Sequence, residues 1–592
     1  MKETMTKEKK TYQRTEYPRP QFERKEWMNL NGTWKFGFDD KNIGELEQWQ
    51  HKPSVLTKEI QVPFTYETKA SGIGEEAFHP NVWYHRTFQI TEENAAKRAL
   101  LRFQASDYHT KVWVNGVFIG AHTGGYAAFS FDISHAVDAT KENELVVKVE
   151  DSQSCYQPRG KQRWINENFG CWYVQQTGIW QTVWLEFLPE TTINHVKMTP
   201  NIDTNSLHLA YDLNQLPTGA CRIETTIRYE GNLVKQFVIT PTRKDEQIEI
   251  ELTSPIHEWK IMHWTPEHPH LYDVTFQLYV DEALEDEVHS YFGMRKISIK
   301  EGKVLLNNQP IYQKLLLDQG YWPDTMLTPP SDEAMLEDIN KTLAMGYNGV
   351  RKHQKVEDAR FLYWCDRKGL LVWSEMAATY EYSDKAVANF TKEWQEVVTQ
   401  YYNHPSIITW VPFNESWGVP KIFKDAKQQS FTEAIYYVTK SIDSNRPVIV
   451  NDGWEHTISD IIALHDYEEL GENFYHRYQD KAAILENKKP HNHHKYAFAE
   501  GYHYQGQPIM ITEYGGIAFQ DKRGWGYGNQ VTTEAEFLER FRNITNAIKD
   551  LPYISGYCYT QTTDVQQEIN GLLKENREPK IALEKIKEIN DA

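Results

Sequence analysis

The chain has 592 residues, with 64 Lys plus Arg against 83 Asp plus Glu and a formal net charge of −19. That acidic surplus, with no Lys/Arg cluster set against it, argues against nucleic acid or an anionic membrane as a partner, and no run of about 18 apolar residues offers a membrane-spanning helix. The length exceeds one hydrophobic core and asks for three or four domains, while 19 Trp and 34 Tyr suit large β domains and a site that stacks flat rings on sugar faces.

Five scattered cysteines (Cys155, Cys171, Cys221, Cys365 and Cys558) form no CxxC pair and no metal-like spacing. They read as reduced thiols. The first ten residues are polar and contain no apolar signal core, so a cytoplasmic protein is expected.

Residues 1–16 read as a polar tail. From Trp27 onward the pattern is one of short alternating runs broken by turn residues, such as Leu30-Asn31-Gly32-Thr33-Trp34. The clearest hairpin surrounds Asn115-Gly116, a dipeptide that suits the left-handed geometry of a two-residue turn. Residues 17–188 are therefore expected to form a β-sandwich. Residues 189–296 alternate in the same way over about the length of an immunoglobulin-like sandwich, without the Cys–Trp–Cys spacing of antibody domains.

After Lys296 the pattern changes to strand, loop and helix, repeated. Strands are expected at 312–317, 349–352, 370–373, 406–411, 448–451, 461–464, 509–512 and 554–559. Helices are expected at 331–344, 357–368, 389–402, 428–441 and 534–548, the first opening with Ser331 as N-cap. Eight such units over 297–592 predict a (β/α)8 barrel, whose active sites lie at the C-terminal ends of the strands.

Those ends carry Asp318, Arg351 with His353, Glu375, Asn414 with Glu415, Asn451 with Asp452, His465 with Asp466, Glu513, and Thr560 with Gln561, and Tyr559 is a further candidate for the sugar. Glu415 closes the fourth strand and Glu513 the seventh, so the fold sets the two carboxylates across one mouth. Such a pair is what glycosidic bond cleavage requires: one protonated group for the leaving oxygen, one ionised group for the anomeric carbon. Glu375 reads either as an ion-pair partner of Arg351 or as a ligand contact. A metal centre built from His353, His465 and Glu375 has no HxH or HExxH spacing behind it, and the His491-Asn492-His493-His494 run reads as a flexible loop.

With these motifs in place the chain resembles glycoside hydrolase family 2, the β-galactosidase, β-glucuronidase and β-mannosidase group. The resemblance rests on Tyr17-Pro18-Arg19-Pro20, Val112-Trp113-Val114-Asn115-Gly116, Thr177-Gly178-Ile179-Trp180-Gln181, Asn348-Gly349-Val350-Arg351, Phe413-Asn414-Glu415 and Ile511-Thr512-Glu513-Tyr514-Gly515. It implies a jelly-roll sugar-binding-like domain, an immunoglobulin-like domain and a catalytic barrel. It also implies retention of configuration, with Glu415 as acid/base and Glu513 as nucleophile. Asn414 is then expected on the sugar 2-hydroxyl, Tyr514 beside the nucleophile, and Arg351 as the charge that keeps Glu513 ionised.

The family's β-glucuronidases carry an Asn-x-Lys pair after the eighth strand, whereas this chain has Thr563-Asp564-Val565-Gln566-Gln567-Glu568-Ile569-Asn570-Gly571. The first strand also departs, with Leu317-Asp318-Gln319-Gly320 where a His-Glu pair is common. Asp318 is expected to take over a contact to sugar hydroxyls. Gln157-Pro158-Arg159-Gly160-Lys161-Gln162-Arg163-Trp164 is expected either to reach the barrel mouth or to join the domains, and Trp525 is expected as an aromatic platform on a mobile loop.

The expected activity is that of an exo-acting, retaining β-glycosidase that removes a terminal neutral sugar, a β-galactoside first, by double displacement. A β-glucuronidase, galacturonidase or arabinosidase would use the same chemistry, and a catalytically silent carbohydrate-binding protein is the rival from another class. The substrate is a carbohydrate and no organic cofactor is expected. A divalent metal enters only by family analogy, and a homo-oligomer is compatible with the sequence.

Overall fold

The computed structural model describes residues 12–253 and 260–592. The N-terminal part is a sandwich of a four-stranded and a six-stranded antiparallel sheet. Its core of Trp34, Phe36, Tyr84, Leu101, Val112 and Leu185 comes from the inward positions of alternating strands. The predicted hairpin is present: His109–Val114 pairs with Val117–Thr123. Asn115 and Gly116 both have positive φ, 50° and 78°, the turn geometry that matches strand twist.

A second sandwich follows. Ile193–Asn201, Ser206–Leu213 and Gln247–Glu251 face a four-stranded sheet that contains Cys221–Tyr229 and Tyr272–Val280. A short antiparallel sheet, Ile297–Lys300, Lys303–Leu306 and Gln309–Pro310, then covers the N-terminal end of the barrel. Ile297, Val304 and Leu306 pack on the barrel interior residues Leu315, Trp373, Val411, Met510 and Cys558, so the barrel is a filled core that opens at its other end.

The barrel strands are Gln313–Asp318, Gly349–Lys352, Leu371–Glu375, Ile407–Val411, Asn451–Asp452, Ile462–His465, Ile509–Gly515 and Ile554–Thr560. The fold is a TIM barrel preceded by two β-sandwiches. Helices occupy Asp332–Ala344, Ala359–Lys368, Asp384–Tyr401, Ala426–Ile442 and Glu534–Lys549, close to the predicted segments.

The fifth strand is shorter than the expected 448–451. The Asp460 carboxylate takes the Val448 amide at 2.8 Å and the Ser459 hydroxyl takes that of Val450 at 2.9 Å, so side chains replace part of the ladder. The first sandwich's loop at 157–164 packs on the barrel. The Arg159 amide donates to the Ala378 carbonyl at 2.8 Å. A Cβ at Gly160, where φ is 63°, would stand 2.1 Å from the Gln354 carbonyl oxygen, so only glycine fits the approach.

Candidate active site

The fourth strand ends in an abrupt turn. Glu415 and Ser416 have φ of 52° and 61°, a left-handed conformation that non-glycine residues adopt at a cost of about 1 kcal/mol each. Neighbouring groups offset it. The Glu415 amide donates to the Asp452 carbonyl at 2.8 Å and the Ser416 amide to Asn451 Oδ1 at 2.9 Å. The Ser416 hydroxyl donates to Glu455 at 2.6 Å. The turn aims Glu415 into the mouth with its side chain 19% exposed, whereas its neighbour Asn414 is buried.

Opposite stands Glu513 on the seventh strand. One ligand atom each from Glu415, His465 and Glu513 lies within 4.8 Å of the others, so the two carboxylates approach across the mouth. Carboxyl groups about 5 Å apart leave room for a sugar carbon and a leaving oxygen but not for an intervening water, the spacing of double displacement.

Arg351 organises the floor. Its Nε lies 2.7 Å from Glu375 Oε2 and 2.9 Å from Asp452 Oδ2, and one terminal nitrogen donates to Glu513 Oε1 at 2.8 Å. The other donates to Asn414 Oδ1 at 2.6 Å. Burial by itself would raise the Glu513 pKa, but the positive charges of His465 and Arg351 outweigh it and hold the carboxyl at about 2. Tyr467 donates its hydroxyl to Glu513 Oε2, so the ionised form is also hydrogen-bonded. Glu375 is pushed up to about 7, chiefly by burial, against the pull of Arg351.

His465 joins the two sides. Nδ1 is 2.9 Å from Glu415 Oε1 and Nε2 is 3.1 Å from Asp452 Oδ1. Burial would lower its pKa, yet Glu513, Asp452 and Glu415 raise it to about 10, so the ring is an imidazolium that donates through both nitrogens. Both His465 nitrogens are bonded to carboxylates, so a cation held by Glu415, His465 and Glu513 would have to displace the proton that joins His465 to Glu415. Asn414 keeps a buried Nδ2 without a protein partner among the described residues, a donor left for a ligand.

The expected pairing of Arg351 with Glu375 is present. His353 lies against Glu375, with Nδ1 at 3.0 Å from Oε1, and its ring is 6.2 Å from that of Trp417. Four expectations about substrate contacts are corrected. Asp318 pairs with Lys352 at 2.7 Å and accepts the Gly320 amide, so its carboxylate is committed to an ion network beside the barrel. Tyr514 points the other way from Glu513, as alternation along a strand requires, and its hydroxyl meets Thr545 at 3.0 Å. Tyr559 is buried against Tyr514 and Phe541, with its hydroxyl accepting the Ile517 amide. Trp525 is pinned to the first sandwich through Nε1 to the Gly170 carbonyl at 3.0 Å, and it is Tyr527 that stacks on Tyr467 at 3.4 Å. In the 491–494 run His491 is buried, with Nε2 at 3.0 Å from the Gly453 carbonyl, while His493 and His494 lie exposed in a turn, in keeping with the loop reading.

Sequence reasoning missed Tyr467 and Glu568; it had Asp452 at a strand end without its pairing to His465, and Tyr527 only as part of the aromatic 524–528 loop. Asp452 and Tyr467 sit at or just beyond strand ends, which was the available signal. The first sandwich and the loop after the eighth strand close one side together. Gln567 Nε2 donates to the Trp172 carbonyl at 2.8 Å, and Tyr173 donates its hydroxyl to Glu568. Trp164, Trp172, Tyr380 and Trp417 form an aromatic wall there, with ring centres 4.5 to 5.7 Å apart.

Three family models match in succession. Residues 27–189 match the sugar binding domain of glycosyl hydrolases family 2, 191–295 the family 2 domain, and 297–592 its TIM barrel domain. A β-galactosidase of Thermoanaerobacter pseudethanolicus is 25% identical over 547 residues, covering 90% of this chain and 65% of that protein. A β-glucuronidase of Streptococcus agalactiae is 21% identical over 612 residues, covering 94% and 95%. A solved structure of Ruminococcus gnavus β-glucuronidase with D-glucuronic acid superposes with a TM-score of 0.77 at 18% identity, covering 96% of this chain and 98% of that one.

Proposed function

The chain belongs to family 2 of the glycosyl hydrolases, and from that premise we propose that it is an exo-acting β-glycosidase that works by retaining double displacement. The approach of Glu415 and Glu513 within 4.8 Å carries this reading. Glu513, kept ionised by Arg351, His465 and Tyr467, attacks the anomeric carbon as the glycosidic C–O bond breaks. The leaving oxygen takes the proton that Glu415 carries as general acid, and Glu415 is left as a carboxylate beside His465. Glu415 then removes a proton from water, whose oxygen attacks the glycosyl ester and frees Glu513. Asn414 Nδ2 is assigned to the sugar 2-hydroxyl, where a hydrogen bond that tightens in the transition state accelerates both steps. The walls from the first sandwich and from the loop after the eighth strand favour a terminal sugar. The scheme needs two carboxylates and water, and no cofactor.

For the sugar, a β-glucuronide-type hexuronide replaces the β-galactoside as the first reading. The names of the relatives support it, since β-glucuronidases predominate among them. A neutral β-galactoside is the second reading, favoured by the β-galactosidase relative and by the missing Asn-x-Lys pair. Hydrolysis of a panel of 4-nitrophenyl galactoside, glucoside, glucuronide, galacturonide, mannoside, fucoside and arabinosides separates them. Turnover of none would overturn the glycosidase reading; a galactoside preferred tenfold over both uronides would restore the second.

A further inference from the structure

The reaction scheme leaves one buried cation unused. Four lysines of the described chain are buried: Lys148, Lys161, Lys352 and Lys355. Three hold a carboxylate closely, Lys148 on Glu45 at 2.8 Å, Lys352 on Glu357 at 2.6 Å and Lys355 on Glu357 at 2.9 Å. Lys161 is 5% exposed, and no Asp or Glu among the described residues comes within 4.0 Å of its ammonium. Its neighbours are the Cys171 thiol and the Trp417 ring, whose centre is 5.1 Å away.

Taking an ammonium out of water without an opposite charge is costly, and a thiol with an aromatic face offsets only part of that cost. Glu568 feels the charge of Lys161 but turns its oxygens to the Tyr173 hydroxyl and to Asn570 Nδ2. Lys161 also borders the site, because the Trp417 ring it lies over is 6.2 Å from the ring of His353, which itself contacts Glu375 on the barrel floor. The first sandwich thus delivers an ammonium without a close anion to the pocket that holds the nucleophile.

We propose that Lys161 reads a carboxylate on the bound sugar: the ring sits with its anomeric carbon at Glu513, and its C5 carboxylate replaces the missing anion beside Lys161 and Trp417. This rests on the glycosidase reading for the placement of the ring. It assigns uronide recognition to the N-terminal sandwich instead of to the loop after the eighth barrel strand, where this chain has no lysine between Thr563 and Gly571.

Two measurements on the full chain test it. In the first, wild type, K161M and K161R are assayed on 4-nitrophenyl β-glucuronide and galacturonide and on the matching neutral glucoside and galactoside. K161M should lower kcat/KM for the uronides at least a hundredfold more than for the neutral sugars, with K161R recovering part of the loss and the thermal unfolding midpoint little changed. Equal loss on both classes would overturn the proposal. In the second, D-glucuronate, D-galacturonate, D-glucose and D-galactose are titrated calorimetrically into E513Q and E513Q/K161M. Uronate affinity should fall at least tenfold with K161M and neutral sugar affinity should not. If wild type cleaves no glycoside, the glycosidase reading fails while this titration still decides Lys161; uronate binding that is absent, or indifferent to K161M, overturns the proposal.

Discussion

His465 stands with Nδ1 2.9 Å from Glu415 Oε1, and the same ring meets Asp452 at 3.1 Å through Nε2. The proposed acid is therefore bonded to a ring that Asp452 orients. The arrangement has a consequence for stability. The folded pKa of His465 is about 10 against 6.5 for a free side chain, a raised value, so its stabilising contribution is complete below pH 6.5 and is lost as pH rises through about 10. The melting temperature of wild type should fall across that window, and H465N should start lower and show a flatter decline. Parallel curves for the two proteins would contradict the charge assigned to His465.

Replacement of Glu513 by Gln should reduce kcat on aryl glycosides by about four orders of magnitude with the fold intact. Product NMR on the wild type should show retained anomeric configuration at early times. An inverted first product would refute double displacement.

Glu415→Ala should slow poorly activated leaving groups most, because only these need a proton in the transition state. Azide should restore turnover of activated aryl glycosides and yield a glycosyl azide. A uniform loss across leaving groups, without azide rescue, would remove the acid/base role.

Tyr467→Phe and Tyr514→Phe should separate cleanly. The first removes a hydrogen bond to Glu513 and should cost roughly 10- to 100-fold in kcat. The second breaks only the bond to Thr545 in the layer between barrel and helices, and should lower stability by about 1 kcal/mol while sparing kcat. The reverse pattern in steady-state kinetics and denaturation would show that the two tyrosines have been assigned the wrong way round.

Arg351→Met should be severe for both stability and activity. It leaves Glu375, Asp452 and Glu513 buried without their common partner, a loss of about 3–5 kcal/mol by the usual cost of breaking a buried pair. Arg351→Lys should rescue little, since one ammonium cannot span all three carboxylates and Asn414. Urea denaturation gives the measure, and a midpoint within error of wild type would argue against the role of Arg351 as organiser.

Much of this was legible in the sequence. The barrel strands could be found because residues buried on both faces form continuous apolar runs, and Glu415 and Glu513 could be found because each interrupts such a run at its C-terminal end. The pairing of Arg351 with Glu375 follows from adjacent strands ending at the same height. Two of the corrected placements share one origin. Tyr514 and Asp318 were placed by nearness along the chain to strand ends, but alternate residues of a strand point to opposite faces. Tyr514 turns to Thr545, and Asp318 meets Lys352, the outward neighbour of Arg351.

The sequence by itself determined the succession of two sandwiches and a barrel, and the two carboxylates at the mouth, because periodicity and strand ends are local properties of the chain. Only the tertiary structure decided what surrounds them. Tyr467 reaches Glu513 from 46 positions away, His465 reaches Glu415 from 50, and Lys161 arrives from a different domain through a loop with no hydrophobic period. Contacts between chain-distant groups depend on how loops close over a formed core, and no local pattern records that closure.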